Sequence, residues 1–185
     1  PGSVRRSFLP GRLISVQLGR FGVKPRIRAP LFLHCLRWRR NVTRELKIAV
    51  LGPIPRDTVV THQQEVLEKY GGALYTAVAM AALVEERGRV IPVTHMRPAD
   101  AQRISASLAR YGNIDQSHVF VQADRGDVVS LTYLDQNTRV ERQTGFMPPI
   151  EPRDIAGLLD ADAFVCVPIS DYEVPYATLA YIKQN

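Results

Sequence analysis

The chain has 185 residues, 45% hydrophobic and 23% charged, enough for one domain with a packed core. Its net charge of +6 is unevenly held: residues 1–41 carry nine Arg, one Lys and no acid, which leaves 42–185 at −4. That split removes the high isoelectric point as an argument for nucleic-acid binding by the main domain, and two cysteines without a Cys-x-x-Cys pair argue against a structural zinc module.

Residues 1–41 admit three readings. An Arg-rich, acid-free segment with scattered Leu, Ile and Phe is what an organellar transit peptide looks like. It also suits a basic arm that holds phosphates without sequence preference. The third reading is that it is not native: the composition changes abruptly at Val42-Thr43-Arg44, and Val42 is a candidate start. On each reading the leader is expected to be poorly ordered and away from any site. Its longest apolar stretch, Ala29 to Leu36, contains His34 and is too short to span a bilayer.

From Lys47 the pattern is that of a folded domain. Lys47-Ile48-Ala49-Val50-Leu51-Gly52 is a short apolar run ending in glycine, which predicts a first buried parallel strand. Asp57 follows just past its carboxyl end, where ligands of open α/β sheets bind, and a carboxylate there suits the hydroxyls of a polyol. No GxGxxG or GxxxxGK[ST] follows the strand, so neither phosphate-binding motif is supported. Residues 53–70 read as irregular, with Val59 and Val60 in a short extended piece.

Gly71-Gly72 then opens a small-residue helix predicted from Gly72 to about Arg87 and capped by Gly88. A glycine pair at that place permits positive φ and close backbone approach, with the first helical amides free to point at a ligand. Tyr70 and Tyr75 flank it and are expected in the core. Val90 to Thr94 predicts a second strand, placed near an edge or start by Pro92. Pro98 to Tyr111 predicts an amphipathic helix stopped by Gly112, with Ile104 and Leu108 on its buried face.

The period changes after residue 117. His118 to Gln122, Asp127 to Leu134 and Thr138 to Thr144 alternate apolar and polar residues between turn signals, Asp124-Arg125-Gly126 and Asp135-Gln136-Asn137, which predicts an antiparallel meander. Pro152 to Leu159 predicts a short helix, Ala163 to Ile169 a buried strand and Pro175 onward a further helix. Asp171, just past that strand, is a second candidate substrate contact. His62, His95 and His118 are too scattered for a metal site or a triad, and Cys166 reads as a small buried hydrophobe in a reduced, cytoplasmic protein.

In this order, the first strand with Gly52 and Asp57, the Gly71-Gly72 pair before an Ala-rich helix, and the later meander resemble the ribokinase-like (PfkB) family of carbohydrate and nucleoside kinases. The resemblance covers roughly 47–185 and corresponds to the N-terminal half of that family. It implies an α/β fold with a ribokinase-like (Rossmann-like) central sheet, flanking helices and a small antiparallel β-flap over about 118–146 that acts as a lid. It implies that Asp57, Gly71 and Gly72 contact a sugar or nucleoside, and that Thr76 stands where many members carry a sugar-contacting Asn. A hydroxyl replaces one hydrogen bond of that amide and not its full set. The Gly-Asp-Asp-like segment of the family is His95-Met96-Arg97-Pro98-Ala99-Asp100 here.

The Gly-Ala-Gly-Asp-like motif that carries the general base and anion hole of the family is absent from this sequence. No catalytic residue is therefore expected in the chain. ATP and Mg²⁺ belong to the full-length family, neither is assigned to this portion, and the isolated chain is expected to be inactive. Self-association through uncovered apolar faces is expected, and membrane or nucleic-acid partners are not. The competing reading is a non-catalytic α/β binding or regulatory module.

Overall fold

The computed structural model describes residues 44–121 and 125–185. The basic leader over 1–41 lies outside these residues, as does Asp124 of the expected turn. The architecture is α/β, as the sequence predicts, but its strands are shared out differently between two sheets.

The first sheet is parallel. β1 (Leu46–Leu51) runs between β4 (Gly88–Met96) and β8 (Ala163–Cys166), with Val50 opposite Pro92 on one side and Val165 on the other. β5 (Val119–Val121) adds to β4, parallel, with Thr94 opposite Val119, so the order is β5-β4-β1-β8. The alternation along β1 explains why the sheet is covered on both faces. Val50, with Val90 and Met96 of β4, packs on α1 (Ala73–Val84) and α2 (Pro98–Leu108) through Ala77, Ala81, Ile104 and Leu108. Ala49 and Leu51, with Ile91 and Val93, pack on Met147, Ile150, Leu158 and α3 (Pro152–Ile155), flanked by α4 (Tyr176–Gln184). Ile104 and Leu108 are fully buried on one face of α2, and each such side chain contributes about 1.5–3 kcal/mol.

The second sheet has the order β3-β2-β6-β7. β2 (Arg56–Val60) and β3 (Val66–Tyr70) form an antiparallel hairpin, β6 (Val128–Tyr133) and β7 (Arg139–Gly145) another, and β2 joins β6 in parallel. Two expectations are corrected here. The segment His118 to Gln122 is no part of a meander: Val119–Val121 is a parallel edge strand of the first sheet. Residues 53–70, expected to be largely irregular, supply half of the second sheet. Apolar–polar alternation marks a strand but carries no information about its partner, which explains both errors.

Smaller corrections have local causes. α1 stops at Val84 and a 3₁₀ turn covers Glu85–Arg87, so the positive φ falls on Glu85 (49°) and Gly88 is extended. The cap is Asn113, whose Nδ2 donates to the carbonyls of Ala81 (2.9 Å), Glu85 (2.8 Å) and Gly88 (3.3 Å). Pro92 lies inside a central strand. It shares the side of Val90 and Thr94, whose amides bond to Asn113 and His118, and β5 begins only opposite Thr94. Its missing N–H therefore faces a gap in the ladder. β8 ends at Cys166 instead of Ile169: Val167 still donates to Leu51, but Pro168 has no amide to continue.

Candidate functional site

The carboxyl end of β1 turns through Gly52-Pro53-Ile54-Pro55, all buried, into β2. The two prolines donate nothing, but their carbonyls bind the amides on either side of Gly72: Gly71 N–H donates to Pro55 (3.1 Å) and Ala73 N–H to Pro53 (2.8 Å). The amides at the start of α1 are thus partly spent within the protein, against the expectation that they would be free for a ligand. Leu74 N–H likewise turns back to Gly71 (3.3 Å).

Each glycine is required for its own reason. Gly72 has φ of 57°, and a β-carbon there would run into the carbonyl of Pro53. Gly71 has no such backbone demand. A β-carbon on it would instead collide with Oδ2 of Asp57. The carboxylate and the glycine pair are therefore one packed unit, brought together across fourteen residues of chain by the β2–β3 pairing of Asp57 with Lys69.

Asp57 lies on one face of the second sheet in a cross-strand row with Lys69, Val129 and Gln143. Burial pushes its carboxyl up to about 6; Glu141 adds to the rise and Arg139 opposes it. A half-buried carboxylate that still ionises near neutrality is a strong hydrogen-bond acceptor for hydroxyls. Thr76, one turn into α1, is half-buried on the flank of the face that packs on the sheet. Asp171 lies in the loop after β8, at the same edge of the parallel sheet, and is exposed.

Sequence reasoning missed the buried polar groups around this edge. Glu173, two residues beyond Asp171, is fully buried, and its carboxylate accepts bonds from Ser170 N–H (2.8 Å) and Ser170 Oγ (2.9 Å). Asp127, expected to open a strand after the turn at Asp124-Arg125-Gly126, is buried just before β6, and burial first, then Glu173, pushes its carboxyl up to about 6. Asp100 is buried at the start of α2, bonded by Tyr70 Oη (3.0 Å) and Arg97 Nε (2.9 Å), with Arg56 Nη1 at 3.9 Å. Tyr75, by contrast, expected in the core, is 59% exposed. His95 is buried, stacked on Phe120 and bonded through Nε2 to Asp154 (3.1 Å), so it packs beneath the edge.

Among the described residues no cluster of three or more His, Cys, Asp or Glu is arranged to hold a metal ion. No helix of the described residues is long and apolar enough to cross a membrane.

Comparison with solved structures gives the fold its relatives. A pyrophosphate-dependent kinase of the ribokinase family, complexed with a pyrophosphate analog and myo-inositol, has a TM-score of 0.61 at 17% identity, over 74% of this chain and 46% of that one. The fructokinase of Halothermothrix orenii has a TM-score of 0.58 at 19% identity, over 75% and 54%. An uncharacterized sugar kinase from Pyrococcus horikoshii has a TM-score of 0.51 at 13% identity, over 62% and 40%. No protein-family model matches the chain, and no curated protein sequence does. The fold is ribokinase-like, and the chain spans about half the length of the solved kinases it resembles.

Proposed function

We propose that this chain is the substrate-holding part of a ribokinase-like kinase, with a polyol, a sugar or nucleoside, as its ligand. The observation that carries the reading is the seating of Asp57, on β2 of the second sheet, against Gly71 at the start of α1. Substrates of this kind are rigid arrays of hydroxyls, and Asp57 in its charged form accepts from two of them at once. Gly71 and Gly72 leave room at the backbone for the Asp57 carboxylate and the Pro53 carbonyl, which fixes where the carboxylate stands. Thr76 and Asp171 are the further contacts in this proposal, one from α1 and one from the loop after β8.

Asp57 binds and orients; it is not the group that takes the hydroxyl proton. The second sheet excludes water from the ligand, which strengthens each hydrogen bond to it. The phosphoryl donor of the full-length protein, ATP with Mg²⁺ in this proposal, supplies the transferred group. The Gly-Ala-Gly-Asp-like motif that would cradle it is absent from this sequence, so no transfer step is assigned to these residues. The first-named solved relative uses pyrophosphate, which makes that donor the alternative to assay.

Titration calorimetry of the chain against ribose, fructose, myo-inositol and adenosine tests the reading. Binding of at least one, weakened about tenfold or more by Asp57→Ala, is expected from the loss of a charged acceptor. Equal affinity of the two proteins would remove Asp57 from the site. Phosphorylation of any of the four by the isolated chain, with ATP or pyrophosphate, would refute the division of labour.

A further inference from the structure

The two sheets share no strand, and buried side chains help to hold the second against the first. Three buried carboxylates do this, Asp100 on one flank and Asp127 with Glu173 on the other. On the β2–β3 flank Asp100 binds Tyr70, and its charge is met by Arg97, with Arg56 nearby. On the β6–β7 flank the arrangement is different. Asp127 is tied to β2 by its carbonyl, which accepts from Arg56 N–H (2.9 Å), and its carboxylate accepts from Met147 N–H (3.2 Å) and from Nε2 of Gln143. The same Nε2 donates to Oε1 of Glu173 (3.3 Å). Glu173 is fixed from its own side by Ser170, and by its carbonyl, which accepts from Ile150 N–H (2.8 Å).

One amide group is thus shared by two buried carboxylates, one at the entry to β6 and one in the loop after β8. The cations on the surrounding elements are engaged elsewhere. Arg125 bonds Tyr172 Oη (3.1 Å), Arg97 is held by Asp100, and Arg56 lies beside Asp100. β7 brings two further arginines: Arg139 is held by Tyr133 (3.3 Å) and Glu141 (3.2 Å), and Arg142, next to Gln143 in the strand, projects from the opposite face; Asp57 on β2, Glu141 on β7 and Asp171 in the loop are acids.

We propose that Glu173 is a positioning residue: acting through Gln143 and Asp127, it docks the β6–β7 half of the second sheet onto the loop after β8, and this docking tightens when Asp127 takes up a proton. The sign follows from linkage. Docking buries Asp127 beside a second acid, so the docked state holds a proton more tightly than an undocked state in which Asp127 meets water.

Amide hydrogen exchange on the whole chain, corrected for intrinsic rates, tests the proposal at pH 5 and pH 7.5. Protection of the 128–145 amides relative to those of β1 and β4 is expected to rise at pH 5, up to about tenfold for a carboxyl moved from 3.8 to about 6. Asp127→Asn is expected to abolish that rise while leaving β1 and β4 as they are. Glu173→Ala is expected to lower protection of 128–145 at both pH values, and Glu173→Gln, which keeps an acceptor for Ser170, to restore it at pH 7.5. Protection in 128–145 that follows β1 and β4 at both pH values, or an unaltered pH response in Asp127→Asn, overturns the proposal. If Glu173→Ala does not fold, the Asp127→Asn comparison decides alone.

Discussion

Oδ2 of Asp57 occupies the place that a β-carbon on Gly71 would need, so the two residues can be tested as a pair. Gly71→Ala is expected to cost about 1–3 kcal/mol, the usual range for forcing a methyl group into packed surroundings. In an Asp57→Ala background the obstacle is gone and most of that cost should vanish. A double-mutant cycle by urea denaturation reads the coupling directly, and additive effects would show that the two residues do not meet.

The pH dependence of stability has a definite sign. Asp57 and Asp127 are each raised from 3.8 to about 6. The folded protein therefore holds these protons more tightly than the unfolded chain. The stability this confers is complete below about pH 4 and is lost as pH rises through about 6. Asp115, lowered chiefly by the Ser117 amide, works the other way and loses its contribution in acid. The melting temperature is expected to be higher at pH 5 than at pH 7.5, with a smaller difference in Asp127→Asn. Equal melting temperatures for the unaltered chain would contradict the raised values.

Asn113 gathers three carbonyls at the end of α1 and the start of β4. Asn113→Ala leaves them without that donor and is expected to cost about 1–3 kcal/mol. For a chain of this size that lowers the melting temperature by roughly 2–4 °C per kcal/mol. Asn113→Asp, which puts an acceptor where the donor was, should be at least as damaging. A surface-like result, with both variants unchanged by thermal denaturation, would rule out Asn113 as the cap.

β8 is the outer strand of the parallel sheet, with no neighbour beyond it among the described residues. An unpaired strand edge invites pairing with another chain, so self-association of the isolated chain is expected. Light scattering should show mass rising with protein concentration. A monodisperse monomer throughout would refute it.

Much of this was legible in the sequence because it depends on local pattern. The β1 run and the Ile104–Leu108 face of α2 follow from spacing and residue type alone, whereas the meeting of Asp57 with the glycine pair was expected only from the family resemblance. The assignment of 118–122 to the meander failed because alternation says nothing about which neighbour a strand finds. Glu173 and Asp127 were invisible for a related reason. Each is an ordinary acid between turn residues, and only the approach of the β6–β7 flank to the loop after β8 buries them. Arg97 against Gly126 and Gln143 against Glu173 are contacts between segments far apart in the chain, for which no spacing rule exists.

The turn Gly52–Pro55 separates the end of β1 from the start of β2 by four residues. Side chains alternate along β2, so a one-residue slip of β2 against β3 and β6 would carry the Asp57 carboxylate to the opposite face of the second sheet. The hairpin tip from Thr61 to Glu65 guards against that slip, because its length fixes the register that sets Asp57 opposite Lys69 and beside Gly71. A loop that touches neither Asp57 nor Gly71 thus imposes a parity condition on their meeting.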